Sequence, residues 1–206
     1  ADLTPHILMC DPYLTNTGEF KPVEGVLADV DAMLGPALEM RKPVFVFLIA
    51  NNIPTHWREI TGAEQIAQTY GSICAGAAGL SYFINAPSTP PHWKALLQLN
   101  REIQALNDVL CSEEDAAQAV PSNVTLRAIT KRHDGCLYLI ACNTDHRAVG
   151  EVTFALPAET GIADRAEVLF EDRAITLDGG RFADTFPAHT RHVYKIKQTR
   201  LLQNPF

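Results

Sequence analysis

Seven consecutive apolar residues, Val44-Phe45-Val46-Phe47-Leu48-Ile49-Ala50, constrain this chain more than any other stretch. The run is preceded by Lys42-Pro43 and stops at the amides Asn51-Asn52. A short run without polar alternation, rich in Val and Phe, reads as a strand buried on both faces, as in a parallel sheet covered by helices. Through Phe83 the pattern continues as loop, helix and strand. In such architectures functional groups collect at the C-terminal ends of the strands.

The same alternation extends to both sides of the run. His6–Cys10 reads as a strand ending in Asp11-Pro12-Tyr13, and Val23–Met40 repeats apolar residues at helical spacing (Val26, Val30, Met33, Leu34, Leu38). A helix is expected from about Ala63 to Ala75, a strand over Leu80–Ile84, and a last helix from about Trp93 to Leu110, striped by Leu96, Leu97, Leu99, Ile103, Leu106 and Leu110. Three strand–helix units in succession predict a parallel sheet with right-handed crossovers.

Near Val120-Pro121-Ser122 the period changes from helical to two. Val124–Thr130 and Cys136–Cys142 flank the turn signal His133-Asp134-Gly135; further strands are expected at Glu151–Leu156, Ala166–Phe170, Ala174–Leu177, Arg181–Phe186 and His192–Lys197, with a second turn signal at Asp178-Gly179-Gly180. Short strands at this spacing predict a small antiparallel β-sandwich. The expected division is therefore residues 1–118, α/β, and residues 119–206, all-β.

At 206 residues and 47% hydrophobic, the chain can bury a sizeable core. A net charge of -7 with no run of Lys and Arg gives no field for a phosphate backbone, so no nucleic acid partner is expected. No apolar run approaches the roughly 20 residues of a bilayer span, so no membrane partner is expected either. Most of the five cysteines sit inside apolar strands or helices and, without a CxxC pair, read as free thiols packed as small hydrophobes. The four histidines at 133, 146, 189 and 192 show no metal-ligand spacing and read as turn or surface residues. No metal and no cofactor is expected. GxGxxG, GxxxxGK[ST], GxSxG and HExxH are all missing from the sequence, which leaves nucleotide binding, serine hydrolysis and zinc proteolysis without their usual signal.

A strand ending Asp11-Pro12-Tyr13, the strand Lys42–Phe47, the loop opening Pro54-Thr55 and the segment Gly76–Phe83 resemble, in that order, the last strands of a glycoside-hydrolase (β/α)8 barrel. The stretch Trp93–Ile103 resembles the final barrel helix of such enzymes, which precedes a C-terminal β-sandwich. The resemblance covers nearly the whole chain. It implies a partial TIM-type barrel of about three βα units, the sixth to eighth, and a carbohydrate ligand. A closed barrel takes about 250 residues, roughly twice what precedes the sandwich. The chain then reads as the C-terminal portion of a longer enzyme, with a sheet edge covered either by self-association or by an N-terminal barrel half. A compact three-layer domain with its own short sheet is the alternative.

Hydrolysis of a glycosidic bond ordinarily takes two carboxyl groups. Asp11 is the one strand-end carboxylate and is the candidate catalytic residue, although a strand-end Asp also caps turns. The resemblance implies a nucleophilic Glu at the end of the seventh strand, where this sequence has Ala50-Asn51-Asn52, and an acid on the absent fourth strand. Tyr13 offers a stacking face and a hydroxyl, Asn51, Asn52 and Asn85 offer amides for sugar hydroxyls, and Trp57 offers a flat apolar surface in the loop with His56 and Glu59. Glu64 is expected to face solvent in a first helical turn, and Trp93 to anchor the core. Catalysis by this chain alone is therefore expected to be incomplete. A non-catalytic carbohydrate-binding or protein-interaction module is the competing reading, and a structural fragment without a ligand is the third.

Overall fold

A computed structural model describes residues 5–12, 15–16, 19–20, 22–50, 60–83, 89–114, 116–123, 125–157 and 162–198. In chain order the elements are β1 (Leu8–Cys10), β2 (Thr15–Asn16), β3 (Glu19–Phe20), α1 (Val23–Glu39), β4 (Val44–Ile49), α2 (Gly62–Ala75), β5 (Gly79–Phe83), α3 (Pro90–Ala105) and α4 (Asn107–Leu110). They continue as β6 (Val120–Pro121), β7 (Arg127–His133), β8 (Cys136–Cys142), β9 (Gly150–Ala155), β10 (Ile162–Val168), β11 (Arg173–Thr176), β12 (Arg181–Phe186) and β13 (Arg191–Gln198). The chain is a mixed helix-and-sheet protein whose second half is antiparallel.

β1, β4 and β5 form a parallel sheet in that order. Val44, Val46 and Leu48 of β4 are buried beneath Val26, Leu27 and Val30 of α1 and Ala67 and Tyr70 of α2. The opposite face is covered only in part, against the expectation of a strand buried on both sides: Ile49 is fully buried, Phe45 and Phe47 are half-buried, and Met9, level with Phe45, is 55% exposed. Gly79 is required on the open face, since a Cβ there would stand 2.8 Å from the Phe45 ring.

Helix starts follow local chemistry. Thr61 and Glu64 form a capping box, the Thr61 hydroxyl accepting from the Glu64 N–H at 3.1 Å and the Glu64 carboxylate accepting from the Thr61 N–H at 2.9 Å. That bond turns Glu64 inward, so it is 7% exposed rather than solvent-facing. In α3, Pro90 and Pro91 occupy the first turn behind the Thr89 cap. There the register buries His92 and leaves Trp93 45% exposed, the reverse of the core anchor expected.

The sandwich packs a five-stranded sheet, β11-β10-β13-β8-β7, against a three-stranded one, β12-β9-β6. Asp134 and Gly135 both have positive φ, 47° and 66°, which is the two-residue hairpin turn that the sequence signalled between β7 and β8. The Asp178-Gly179-Gly180 turn also forms, but its flanking strands part: β11 pairs with β10, while β12 crosses to β9. Phe182 and Phe186 on β12 thereby enter the space between the sheets, where Phe182 lies 5.1 Å from Phe154 and 4.7 Å from Tyr194 between ring centres.

α2 lies between the parallel sheet and the outer face of the five-stranded sheet. Ile140 and Cys142 of β8 and Val193 of β13 belong to the same apolar cluster as the helices, while Leu137, Leu139 and Ala141 face the sandwich interior. Beside this contact Glu102 of α3, 4% exposed, accepts from the Tyr70 hydroxyl at 2.8 Å and from the Arg191 guanidinium through Nε at 3.0 Å and through Nη2. Arg191 also reaches Glu171, which binds His192 Nδ1 at 2.6 Å and Arg173 Nε at 2.8 Å; Arg173 and the Tyr194 hydroxyl in turn hold Asp184.

Removing one member of a buried pair leaves the other uncompensated. Arg191→Met is expected to lower the unfolding free energy by about 3–5 kcal/mol in urea titrations, and a loss under about 1 kcal/mol would contradict the burial of Glu102. Burial pushes the Glu171 and Asp184 carboxyls up, but hydrogen bonds from His192 and Arg173 to the first, and from Arg173, the Thr185 N–H and Tyr194 to the second, hold both below the ordinary carboxylate range. Groups held low contribute stability that is present above their unfolded pKa and lost as pH falls through the folded one. The urea midpoint should therefore drop between about pH 5 and pH 3, and more shallowly in Glu171→Gln.

Candidate functional site

The parallel strands end on one side of the sheet. Cys10 stands opposite Val46 and Ile49 opposite Phe83, so β1 stops three residues short of the end of β4. Asp11 follows Cys10 directly and is exposed. Tyr13, Asn51, Asn52, Trp57 and Asn85 lie outside the described residues, as do His56 and Glu59. Cys10 is 7% exposed, a packed residue rather than a nucleophile.

Behind the strand ends sits a buried polar layer that no sequence motif announced. Gln68 of α2, fully buried, donates through Nε2 to the Ile49 carbonyl at 2.8 Å. One turn away Gln65 Oε1 meets His92 Nε2 at 2.8 Å, tying α2 to α3, and Thr69 Oγ1 lies 3.3 Å from the Tyr82 hydroxyl. These bonds hold the last carbonyl of β4 and the start of α3 in fixed relation. Gln65 Nε2 and Gln68 Oε1 are buried with no hydrogen-bond partner among the described residues, which leaves one donor and one acceptor in the layer. Amphipathic spacing hides these residues, because a Gln inside a helix reads as solvent-facing until something covers it.

Two other clusters differ in chemistry. His192 was expected at a turn or surface, yet it is 7% exposed, with Nδ1 on Glu171 and Nε2 3.1 Å from the Thr185 carbonyl oxygen. With both ring nitrogens engaged, it has none to offer a substrate. Burial pushes the Cys74 thiol up to about 12 and the Cys142 thiol well above its ordinary value, so neither forms a thiolate nucleophile near neutral pH. Between β5, α3, α4 and β7 runs a groove of about 420 Å³, lined by Ile73, Leu80, Tyr82, Ile103, Leu110 and Ile129 among others. It flanks β5 on the side away from β4, and Asp11 is not among the residues that line it.

No protein-family model matches this sequence, and no curated protein does. Solved structures share the fold. The α-amylase of Geobacillus thermoleovorans, complexed with acarbose, aligns at a TM-score of 0.56 and 12% identity over 84% of this chain and 43% of its own. A GH30 endoxylanase from Clostridium papyrosolvens C71 aligns at 0.51 and 14% identity over 94% of this chain and 49% of its own. A noncanonic maltogenic α-amylase from Thermotoga neapolitana aligns at 0.52 and 12% identity over 85% and 47%. The chain spans less than half the length of each of these glycoside hydrolases, and what it has in common with them is the fold.

Gln68→Leu, which keeps the volume but leaves the Ile49 carbonyl without its donor, is expected to destabilise the protein by about 1–3 kcal/mol. Asp11→Asn, at an exposed position, should stay within about 0.5 kcal/mol of the parent. Thermal unfolding of the two variants side by side checks both. A neutral Gln68→Leu would remove the polar layer from any part in holding the strand end.

Proposed function

We propose that this chain is a glycoside-hydrolase-like, carbohydrate-active protein: residues 1–118 are the sixth to eighth βα units of a (β/α)8 barrel, and residues 119–206 are the β-sandwich that follows it. The observation that carries this reading is the one-sided cover of the parallel sheet. Helices bury Val44, Val46 and Leu48, while Met9, Phe45 and Phe47 face an open side. Strands adjacent in sequence lie adjacent in the sheet, as in a barrel. In a closed barrel the open side is the interior, filled by side chains from the remaining strands. An N-terminal barrel half, or failing that a second copy of the chain, would then cover it and the free edge of β5.

In this reading the strand ends bearing Asp11, Tyr13, Asn51, Asn52 and Asn85, with the Trp57 loop, line one side of a sugar cleft. Asp11 orients a hydroxyl or acts as a base, the amides bind hydroxyls, and Tyr13 and Trp57 stack on the apolar face of a ring. A glycosidic bond needs two carboxyl groups at defined separation. The seventh strand carries amides where the nucleophile belongs, so the chain by itself binds sugar weakly and does not complete the hydrolysis. That same pair of amides favours a second reading, a carbohydrate-binding or protein-interaction module with no catalytic role.

Turnover on a panel of polysaccharides and aryl-glycosides, combined with oligosaccharide titrations followed by tryptophan fluorescence, tests both. The expected result is no turnover above background and weak binding that falls about tenfold in Trp57→Ala, a loss of about 1.4 kcal/mol. Robust turnover abolished by Asp11→Asn would overturn the incomplete-site reading. Absence of binding to every oligosaccharide would overturn the carbohydrate reading itself.

A further inference from the structure

A constellation far from any sequence motif joins the first helix to the sandwich. Glu24, in the first turn of α1, meets Asp145 and His146 from the loop between β8 and β9, with one ligand-capable atom from each within 4.8 Å of the others. His146 Nδ1 lies 3.2 Å from Asp145 Oδ1 and 3.5 Å from Glu24 Oε1. Charge-assisted hydrogen bonds close to about 2.7–2.9 Å, and both contacts are longer. Two ligands bound at about 2.0–2.1 Å to one tetrahedral ion stand about 3.3 Å apart, close to the two distances from His146 Nδ1, while the two carboxylates lie within 4.8 Å of each other.

Asp145 Oδ1 also accepts from the Arg147 N–H at 2.8 Å, whereas Glu24 is less well supplied. Two carboxylates converge on one imidazole nitrogen, and the second oxygen of Glu24, Oε2, is buried with no hydrogen-bond partner among the described residues. Nearby, His189 is held at φ 51° in the β12–β13 turn, and its Nε2 is likewise buried without a partner among the described residues. The loop is set in advance. Asn143, fully buried, donates to the Arg147 and Pro187 carbonyls at 2.8 Å each, while the Asp145 carbonyl accepts from the His189 N–H at 3.1 Å.

We propose that Glu24, Asp145 and His146 bind a divalent transition-metal ion of the zinc type, with water completing the coordination, and that the ion fastens α1 to the sandwich. One imidazole with two carboxylates suits Zn²⁺ better than Ca²⁺ or Mg²⁺, which take oxygen ligands alone. The side chain of His146 is 60% exposed, so the ion has an open route to the site and exchanges with solvent. The site lies apart from the strand-end residues assigned to sugar binding and stands or falls independently of that assignment.

The test uses the whole purified chain, freed of metal by chelation, titrated with Zn²⁺ by calorimetry and with Co²⁺ by absorption. One ion is expected to bind, Co²⁺ giving the intense visible bands of a tetrahedral site, and saturating Zn²⁺ should raise the melting temperature by about 5 °C or more. Chelator reverses that rise. His146→Ala and Glu24→Gln should each weaken binding at least tenfold, and circular dichroism identifies any variant that fails to fold. If Glu24→Gln does not fold, His146→Ala, at an exposed side chain, decides alone. Binding no tighter than millimolar, or affinity unchanged in His146→Ala, would overturn the proposal, as would selective binding of Ca²⁺ over Zn²⁺.

Discussion

Helix α2 is the element on which the rest of the structure depends, because it has no solvent face along most of its length. It is covered on one side by the parallel sheet and on another by the five-stranded sheet, with α1 and α3 beside it. Nearly every residue from Glu64 to Ile73 is buried. A helix in that position can carry polar side chains only if each finds a defined partner. Gln68 takes the Ile49 carbonyl, Ser72 the carbonyl of Gln68, Gln65 the ring of His92, and Tyr70 the carboxylate of Glu102. Gly71 admits close approach on the same helix: a Cβ there would stand 2.5 Å from a terminal carbon of Leu27.

That arrangement makes the two halves of the chain one packed unit. The sheet that begins the sandwich shares its outer face with the helices through Ile140, Cys142 and Val193, so neither half closes its apolar surface alone. Arg191 gives the same contact its polar specificity, joining Glu102 of α3 to Glu171 of the sandwich while its guanidinium lies 5.6 Å from the centre of the Tyr70 ring. At the edge of the interface the Arg127 guanidinium grips both oxygens of Asp31 on α1, at 2.9 and 2.6 Å. This outer pair is half exposed and screened, so it registers the halves more than it stabilises them.

Elements were legible where local chemistry decides them. The strand Cys136–Cys142 and the strand Arg181–Phe186 stand where the alternation put them, and the turn at Asp134-Gly135 forms because its residues tolerate positive φ. Pairing partners were not legible. The Gly179-Gly180 turn signals a hairpin, but the aromatic residues of β12 are buried better against Phe154 than β12 would be beside β11. Exposure within helices was misread for a related reason: Glu64 is polar yet buried, and Trp93 is apolar yet 45% exposed.

By itself, then, the sequence determined the alternation of strands and helices before residue 120 and the change to period two after it, but not the short elements β2, β3, α4 and β6. It also set Asp11 at a strand end and put amides, Asn51 and Asn52, directly after the apolar run. These are matters of local spacing and side-chain chemistry, and they need no knowledge of what lies opposite. Only the tertiary structure decided that Val44, Val46 and Leu48 lie under the helices while Phe45 and Phe47 are half-buried, and that Gln65, Gln68 and His92 form a buried layer. It alone brought Glu24 beside Asp145 and His146. Each of these depends on residues remote in sequence meeting in space, and no periodicity in the chain encodes which surfaces will be brought together.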